Sequence, residues 1–383
     1  MNGAPLDAAR ALAPRLRGAA ADTERARRLA PDLVAAMAEA GLFRLLVPAS
    51  LGGGEVDAAT LVAVLEELAR ADGAAGWCAM IAANAGVVAA YLPRPVARTI
   101  YGSPGAITGG VFAPSGTATV VDGGYRVSGR WAFASGCQHC TWLMGGCAIL
   151  EQGKPRLLPS GVPDARMMLF PASAATIVDT WTVAGLCGTG SHDIVVTELV
   201  VPADHAVSLA ADAPTASGAL YRFPVFGLLA LGIGGVALGI GRAALDALAG
   251  LAGAKTPAGG RRLLRERPAV QAQFAEAEAT LGAARAFLFD VIRTATDAAG
   301  AGALTPEVRA RVRLAATHAV TSAARAVDVA YTAGGGSAVY ATNPLQRCFR
   351  DIHVVTQHMM VAQPTLELAG RVLLGVETDT AML

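Results

Sequence analysis

Gly124-Tyr125-Arg126-Val127-Ser128-Gly129-Arg130-Trp131-Ala132-Phe133-Ala134-Ser135-Gly136-Cys137 is the stretch on which the fold turns. Just before it, Thr117-Ala118-Thr119-Val120-Val121 and the turn Asp122-Gly123-Gly124 complete a hairpin, because β-branched residues flank a turn rich in Asp and Gly. Beyond Ser128 the second strand runs on. A period of two places Trp131, Phe133 and Ser135 on one face. Two flat apolar rings followed by a hydroxyl suit an isoalloxazine, since the rings exclude water and the hydroxyl serves a polar edge. The plain alternative is an ordinary strand whose aromatics fill the core.

Outward from this hairpin the chain divides into three. Ile194–Val201 is a further strand, stopped by Pro202, and residues 99–215 read as a β-barrel or sandwich domain. Residues 1–98 read as helical: Leu29, Leu33 and Met37 form one apolar stripe, Leu61, Val64, Leu65 and Leu68 another, with a Pro48–Gly54 loop between them. Residues 216–383 return to helical periodicity in four segments, about 224–252, 268–298, 305–333 and 346–374, which predicts an antiparallel four-helix bundle. The fold class expected is α+β, mainly α.

Composition removes several functions. The chain has 383 residues and a formal charge of +1, which argues against nucleic acid or an anionic membrane as partner. Gly73–Pro93 and Phe223–Gly241 are charge-free and of spanning length, but the second is studded with glycine and neither has a basic cluster on one flank, so both are expected to be buried helices. Six cysteines follow an N-terminus without the apolar core of a secretory signal, which predicts free thiols in a cytoplasm. Cys137-Gln138-His139-Cys140 has no second ligand pair, so buried thiols and a pocket-lining His139 are expected rather than a metal.

The motifs taken together resemble the acyl-CoA dehydrogenase superfold over essentially the whole chain. In detail they resemble its two-component flavin monooxygenase branch, which includes the oxygenase components acting on 4-hydroxyphenylacetate and on steroid-derived phenols. The matching pieces are Gly41–Pro48 with Leu51-Gly52-Gly53, Asp72–Trp77, Gly124–Cys137, Gly188–Asp193 and Arg350-Asp351 through Gln357-His358. Where the dehydrogenases keep a catalytic glutamate, this chain has Met359. A thioether accepts no proton at neutral pH, so the acyl-CoA reaction lacks its base. The resemblance implies instead that a separate reductase supplies reduced FMN or FAD. With O₂ this forms a C4a-hydroperoxide that hydroxylates an aromatic or polycyclic small molecule.

It also implies roles. Ser135 stands beside the flavin N5 and C4a edge, and His358 is the general base or substrate-orienting group. Trp131, Phe133, Gly136, Thr189, Gly190 and Ser191 line the cofactor. Gly335 and Gly336 take the nucleotide tail of a neighbouring subunit's flavin in a homotetramer. Trp77, Asn84, Phe112, His139 and Met359 line the substrate pocket. Asn84 stands where several relatives have histidine, and Gly109 and Gly110 where others do, which points away from a simple phenol bound in the usual way and toward something larger. Arg350-Asp351 is expected to be a structural ion pair at a helix start, and His353 to be structural. The competing functions are an acyl-thioester dehydrogenase or oxidase, an N-oxygenase of an amine or amino sugar, and a non-enzymatic helical scaffold.

Overall fold

The computed structural model describes residues 3–159, 161–381 and 383. The N-terminal helices are α1 (Gly3–Ala26), α2 (Pro31–Glu39), α3 (Ala58–Ala71), α4 (Gly73–Gly86) and α5 (Arg94–Tyr101). The strands are β1 (Thr108–Val121), β2 (Gly124–Ala134), β3 (Trp142–Glu151), β4 (Lys154–Pro155), β5 (Ala165–Pro171), β6 (Thr176–Val178), β7 (His192–Pro202) and β8 (Ala206–Val207). The C-terminal helices are α6 (Val225–Ala254), α7 (Pro268–Gly300), α8 (Pro306–Gly334), α9 (Pro344–Val355) and α10 (Gln363–Leu373). Helices before and after a mixed sheet make the expected α+β, mainly α chain.

Among the described residues the eight strands form one sheet, in the order β6-β7-β2-β1-β3-β5-β8 with β4 on β3. The predicted hairpin is present, with Val121 opposite Gly124 and Gly123 at φ +75° in the turn. Trp131 on β2 and Phe170 on β5 meet with ring centroids 6.2 Å apart, although two strands separate them. The sheet therefore curls around its own core, as a barrel does. Trp131 fills that core completely: it is fully buried, its Nε1 donates to Gly146 O at 2.7 Å, and a Cβ on Gly116, Gly129 or Gly145 would strike its ring at 2.3–2.6 Å.

The shared face for Trp131, Phe133 and Ser135 is overturned. Phe133 sits at φ +66° and the β2–β7 register shifts between Trp131 and Ala134. A bulge adds a residue and breaks the period of two. Trp131 is thereby a core residue rather than a cofactor contact, while the Phe133 ring is 70 % exposed.

The two charge-free segments are core helices. Gly73–Ala90 and Val225–Ala254 are long and apolar enough to span a bilayer, yet nearly all of each is buried within the protein. Glycines on α6 permit this closeness: a Cβ on Gly239 would lie 2.3 Å from the Glu66 carbonyl of α3. The expected fourth bundle helix is broken. Helix α9 stops at Val355 and α10 begins at Gln363, with Met359–Val361 in a 3₁₀ turn between them. Both His358 and Met359 sit in that break, where Pro364 at the start of α10 favours a new helix rather than continuation of the old one.

Trp131→Ala leaves a large void in the sheet core and is expected to cost about 3–5 kcal/mol. The unfolding midpoint checks this, and an unchanged midpoint contradicts the core placement.

Candidate active site

The elements converge where α4, the β2 end and the α9–α10 break meet. Helix α4 is capped by Asp72, whose carboxylate accepts from Ala75 N, and carries Trp77 in its second turn. The Trp77 Nε1 donates to Ser135 Oγ at 3.0 Å. Ser135 Oγ lies 2.7 Å from Ser191 Oγ, which lies 2.7 Å from Thr189 Oγ1, which donates to Leu186 O at 2.8 Å.

The direction of every proton in this chain follows from its ends. An indole N–H only donates and a carbonyl only accepts. Thr189 spends its proton on Leu186 O, so Ser191 donates to Thr189 and Ser135 donates to Ser191. Ser135 Oγ then has one lone pair left and no proton to offer.

Trp77 also joins the second predicted catalytic residue. Its ring meets His358 edge-on, centroids 5.7 Å apart. His358 caps the 3₁₀ turn: its Nδ1 accepts from Met360 N at 3.2 Å. An imidazole that accepts at Nδ1 carries its proton at Nε2 when neutral. Burial, and secondarily the Arg313 charge, hold His358 down at about 4. Arg313 is itself buried and donates to Met360 O at 3.1 Å. His358 is thus a neutral N–H donor at physiological pH.

His139 is likewise held at about 4 by burial, tilted against Phe43 at 5.4 Å. Gly136, at φ +71°, leaves room for that ring: a Cβ there would lie 2.7 Å from His139 Nε2. Cys137 and Cys140 turn their thiols onto the Gly190 and Gly136 carbonyls, and all six cysteines are free. Phe133 meets Trp181 edge-on at 6.1 Å, and Trp181 Nε1 donates to Leu186 O at 3.1 Å. The exposed ring therefore stands on the same loop that ends the hydroxyl chain.

Other predicted residues lie further out. Asn84 is on the Trp77 face of α4, two turns on, and buried. Its Nδ2 contacts Met80 Sδ at 3.1 Å and Leu229 O at 3.4 Å, and its Oδ1 has no partner. Phe112 is half-buried on β1, and Met359 is 68 % exposed in the helix break. Gly335, at φ +54°, and Gly336 follow α8, where Lys255 Nζ donates to Gly334 O at 2.7 Å.

Arg350 and Asp351 do not pair. They lie mid-α9, where Arg350 bonds Glu24 at 2.5 Å and Asp351 Oδ1 accepts from Leu186 N at 2.6 Å. Adjacent residues on a helix point in different directions, so each finds a partner on a different element. His353 pairs with Asp328 at 2.9 Å, a structural contact. Trp181 and the Asp351–Leu186 contact were missed from the sequence; only the tertiary fold brings them in.

A flavin fits this set. The wall offers one hydroxyl lone pair, an exposed aromatic corner and two uncharged imidazoles, which match a planar ring with one polar edge. Fold and site define a protein of the acyl-CoA dehydrogenase type. The family models described as "Acyl-CoA dehydrogenase, N-terminal domain" and "Acyl-CoA dehydrogenase, C-terminal domain" match residues 6–94 and 231–363.

The particular branch follows from relatives. The chain is 36 % identical to an indole-3-acetate monooxygenase of Pseudomonas putida, covering 88 % of this chain and 84 % of that one. It is 31 % identical to the oxygenase component of an FADH(2)-dependent resorcinol hydroxylase of Rhizobium sp., covering 96 % and 93 %. The crystal structure of 3-HSA hydroxylase from Rhodococcus sp. RHA1 superposes with a TM-score of 0.92 over all of both chains, at 27 % identity. The chain belongs to the oxygenase components of flavin-dependent monooxygenases, enzymes that use a reduced flavin furnished by a separate reductase and act on a small molecule.

Because the native imidazole of His358 binds its proton more weakly than the unfolded one, its contribution to stability is present above the ordinary histidine range and lost as pH falls toward about 4. Its NMR titration, assigned with His358→Gln, is expected to have its midpoint well below 6; a midpoint in the ordinary histidine range contradicts the buried, neutral assignment.

Proposed function

We propose that this chain binds reduced flavin through the one lone pair left on Ser135 Oγ and hydroxylates a small aromatic bearing a ring N–H or O–H. The observation that carries the flavin part is the polarity of the Trp77–Ser135–Ser191–Thr189–Leu186 chain. A reduced isoalloxazine presents an N–H at N5, which Ser135 can accept; the oxidised ring presents an acceptor there, which Ser135 has no proton to meet. When bound, the reduced flavin supplies the electrons that activate O₂. The protein's own residues then exclude water, orient the substrate and hold protons.

His358 takes the orienting role in this reading, since a neutral Nε2–H donates and a group held at about 4 is a weak base. Met359, at the mouth of the break, and Phe112 and His139 complete the pocket. Phe133, Gly136 and Gly190 flank the ring. The Gly335-Gly336 turn beside Lys255 receives the phosphate-bearing tail of a neighbouring subunit's flavin, in a homotetramer. Six free thiols support a cytoplasmic location.

Asn84 offers the substrate an acceptor, its amide oxygen. Leu229 O only accepts, so the amide nitrogen must face it, and the amide oxygen is left as a buried acceptor. Such an atom costs free energy until a donor reaches it. Indole-3-acetate and resorcinol, named for the relatives, each carry one.

Two measurements test these assignments. Anaerobic titration is expected to give tighter binding of reduced than of oxidised FMN or FAD, and Ser135→Ala to narrow that ratio about tenfold; an unchanged ratio removes Ser135 from the flavin edge. Asn84→Leu is expected to lower kcat/KM about 5- to 150-fold for indole-3-acetate or resorcinol, the equivalent of about 1–3 kcal/mol. The N- or O-methylated substrates should not feel the change, and an equal loss on both sets would sink the Asn84 assignment.

A further inference from the structure

Two carboxylates behind the ring-binding wall hold the two ends of the hydroxyl chain. Asp72 ends α3 and caps α4, the helix that presents Trp77. Asp351, buried on α9, accepts the Leu186 N–H at 2.6 Å, and the Leu186 carbonyl is where the chain ends. Leu186 stands at φ +50°, a left-handed conformation that a leucine rarely adopts, so it needs an outside contact to hold it. The second oxygen of Asp351 lies 3.0 Å from the point a Cβ on Gly73 would occupy, at the first residue of α4 and next to Asp72. Both carboxyls line one cavity of about 10 Å³, no larger than a single water.

The charged and titratable groups around them come from every packed element. Glu24 on α1 is bonded to Arg350, Arg347 and Arg350 lie on α9, and the thiols are Cys78 on α4, Cys187 in the loop and Cys348 on α9. Burial pushes Asp72 up to about 6 and Asp351 up to about 7, the Asp72 charge adding to the second and Arg347 opposing both.

We propose that Asp72 and Asp351 are a positioning pair that shares one proton and thereby sets the register of the Ser135 hydroxyl chain. With the proton present, only one negative charge faces the cavity. With it lost, two negative charges confront each other across the cavity, and Leu186 and the head of α4 move apart. Neither residue touches the reacting atoms. The effect on flavin rests on the functional reading above, whereas the coupling itself does not.

The sign follows from burial. The folded chain binds more protons than the unfolded one between the ordinary carboxylate range and about 7, so this contribution is present at low pH and lost as pH rises through the folded values. Asp351→Asn keeps the acceptor for Leu186 N–H and removes one of the two charges, imitating the protonated pair at that position.

The test uses ligand-free, full-length protein labelled with 5-fluorotryptophan, with the Trp77 resonance assigned by Trp77→Phe. The wild-type Trp77 signal is expected to shift in one step between about pH 5 and about pH 8, and Asp351→Asn to abolish the step. Over the same range the melting temperature of Asp351→Asn should rise relative to wild type. A Trp77 signal that stays still in the wild type, one that moves equally in the variant, or a constant melting difference overturns the pair. Under anaerobic titration with reduced FMN, Asp351→Ala should weaken binding about tenfold and Asp351→Asn restore it. Failure of every protein to bind flavin would instead overturn the functional reading, while the ligand-free shifts still decide the pair.

Discussion

The arrangement of the site depends on one constraint: a row of three hydroxyls pinned between a group that only donates and a group that only accepts. Once Trp77 Nε1 and Leu186 O are in place, no hydroxyl in the row is free to rotate its proton elsewhere without leaving a buried partner unsatisfied. A lone serine at the end of a strand would be a rotor, equally ready to donate or accept. Toward a ligand Ser135 is an acceptor only, because its proton is committed to Ser191 and Trp77 already donates to it.

That constraint demands precise placement of elements far apart in sequence. Trp77 comes from α4, Ser135 from the end of β2, Ser191 and Thr189 from the loop before β7, and Leu186 from the turn that Asp351 of α9 holds. The close approach of α3, α4 and α6 fixes the first, the curled sheet around Trp131 fixes the second, and α9 fixes the last. The bulge at Phe133 links the two roles of β2. It lets Trp131 point into the sheet core while Ser135, four residues on, points into the helical junction.

Much of this was legible in the sequence, and the failures have particular causes. The helix–sheet–helix order, the hairpin at Asp122-Gly123, the Ile194–Val201 strand and the burial of the two charge-free helices follow from periodicity and turn chemistry, which are local. Ser135, Trp77 and His358 were singled out by resemblance, and the fold brings them into contact. Trp131 was misplaced because alternation was carried through a bulge, whose only trace is a backbone φ that no side-chain pattern records. The break between α9 and α10 was missed because apolar residues on both sides keep a helical spacing, with Pro364 as the one local warning. Arg350-Asp351 was read as a pair because the residues adjoin in sequence, whereas their partners, Glu24 and Leu186, are more than 160 residues away.

The distribution of charge completes the argument. The two imidazoles near the wall are both held neutral by burial. Carboxylates are nonetheless present, displaced behind the wall as Asp72 and Asp351, where they face the backbone and each other instead of a ligand. Their pH dependences oppose: the histidines lose their contribution as acid rises, the carboxylates as it falls. Between the two limits the wall carries no charge and the pair behind it retains a proton. In the reading proposed, an uncharged wall would help keep water from a bound flavin and would set no free base beside it.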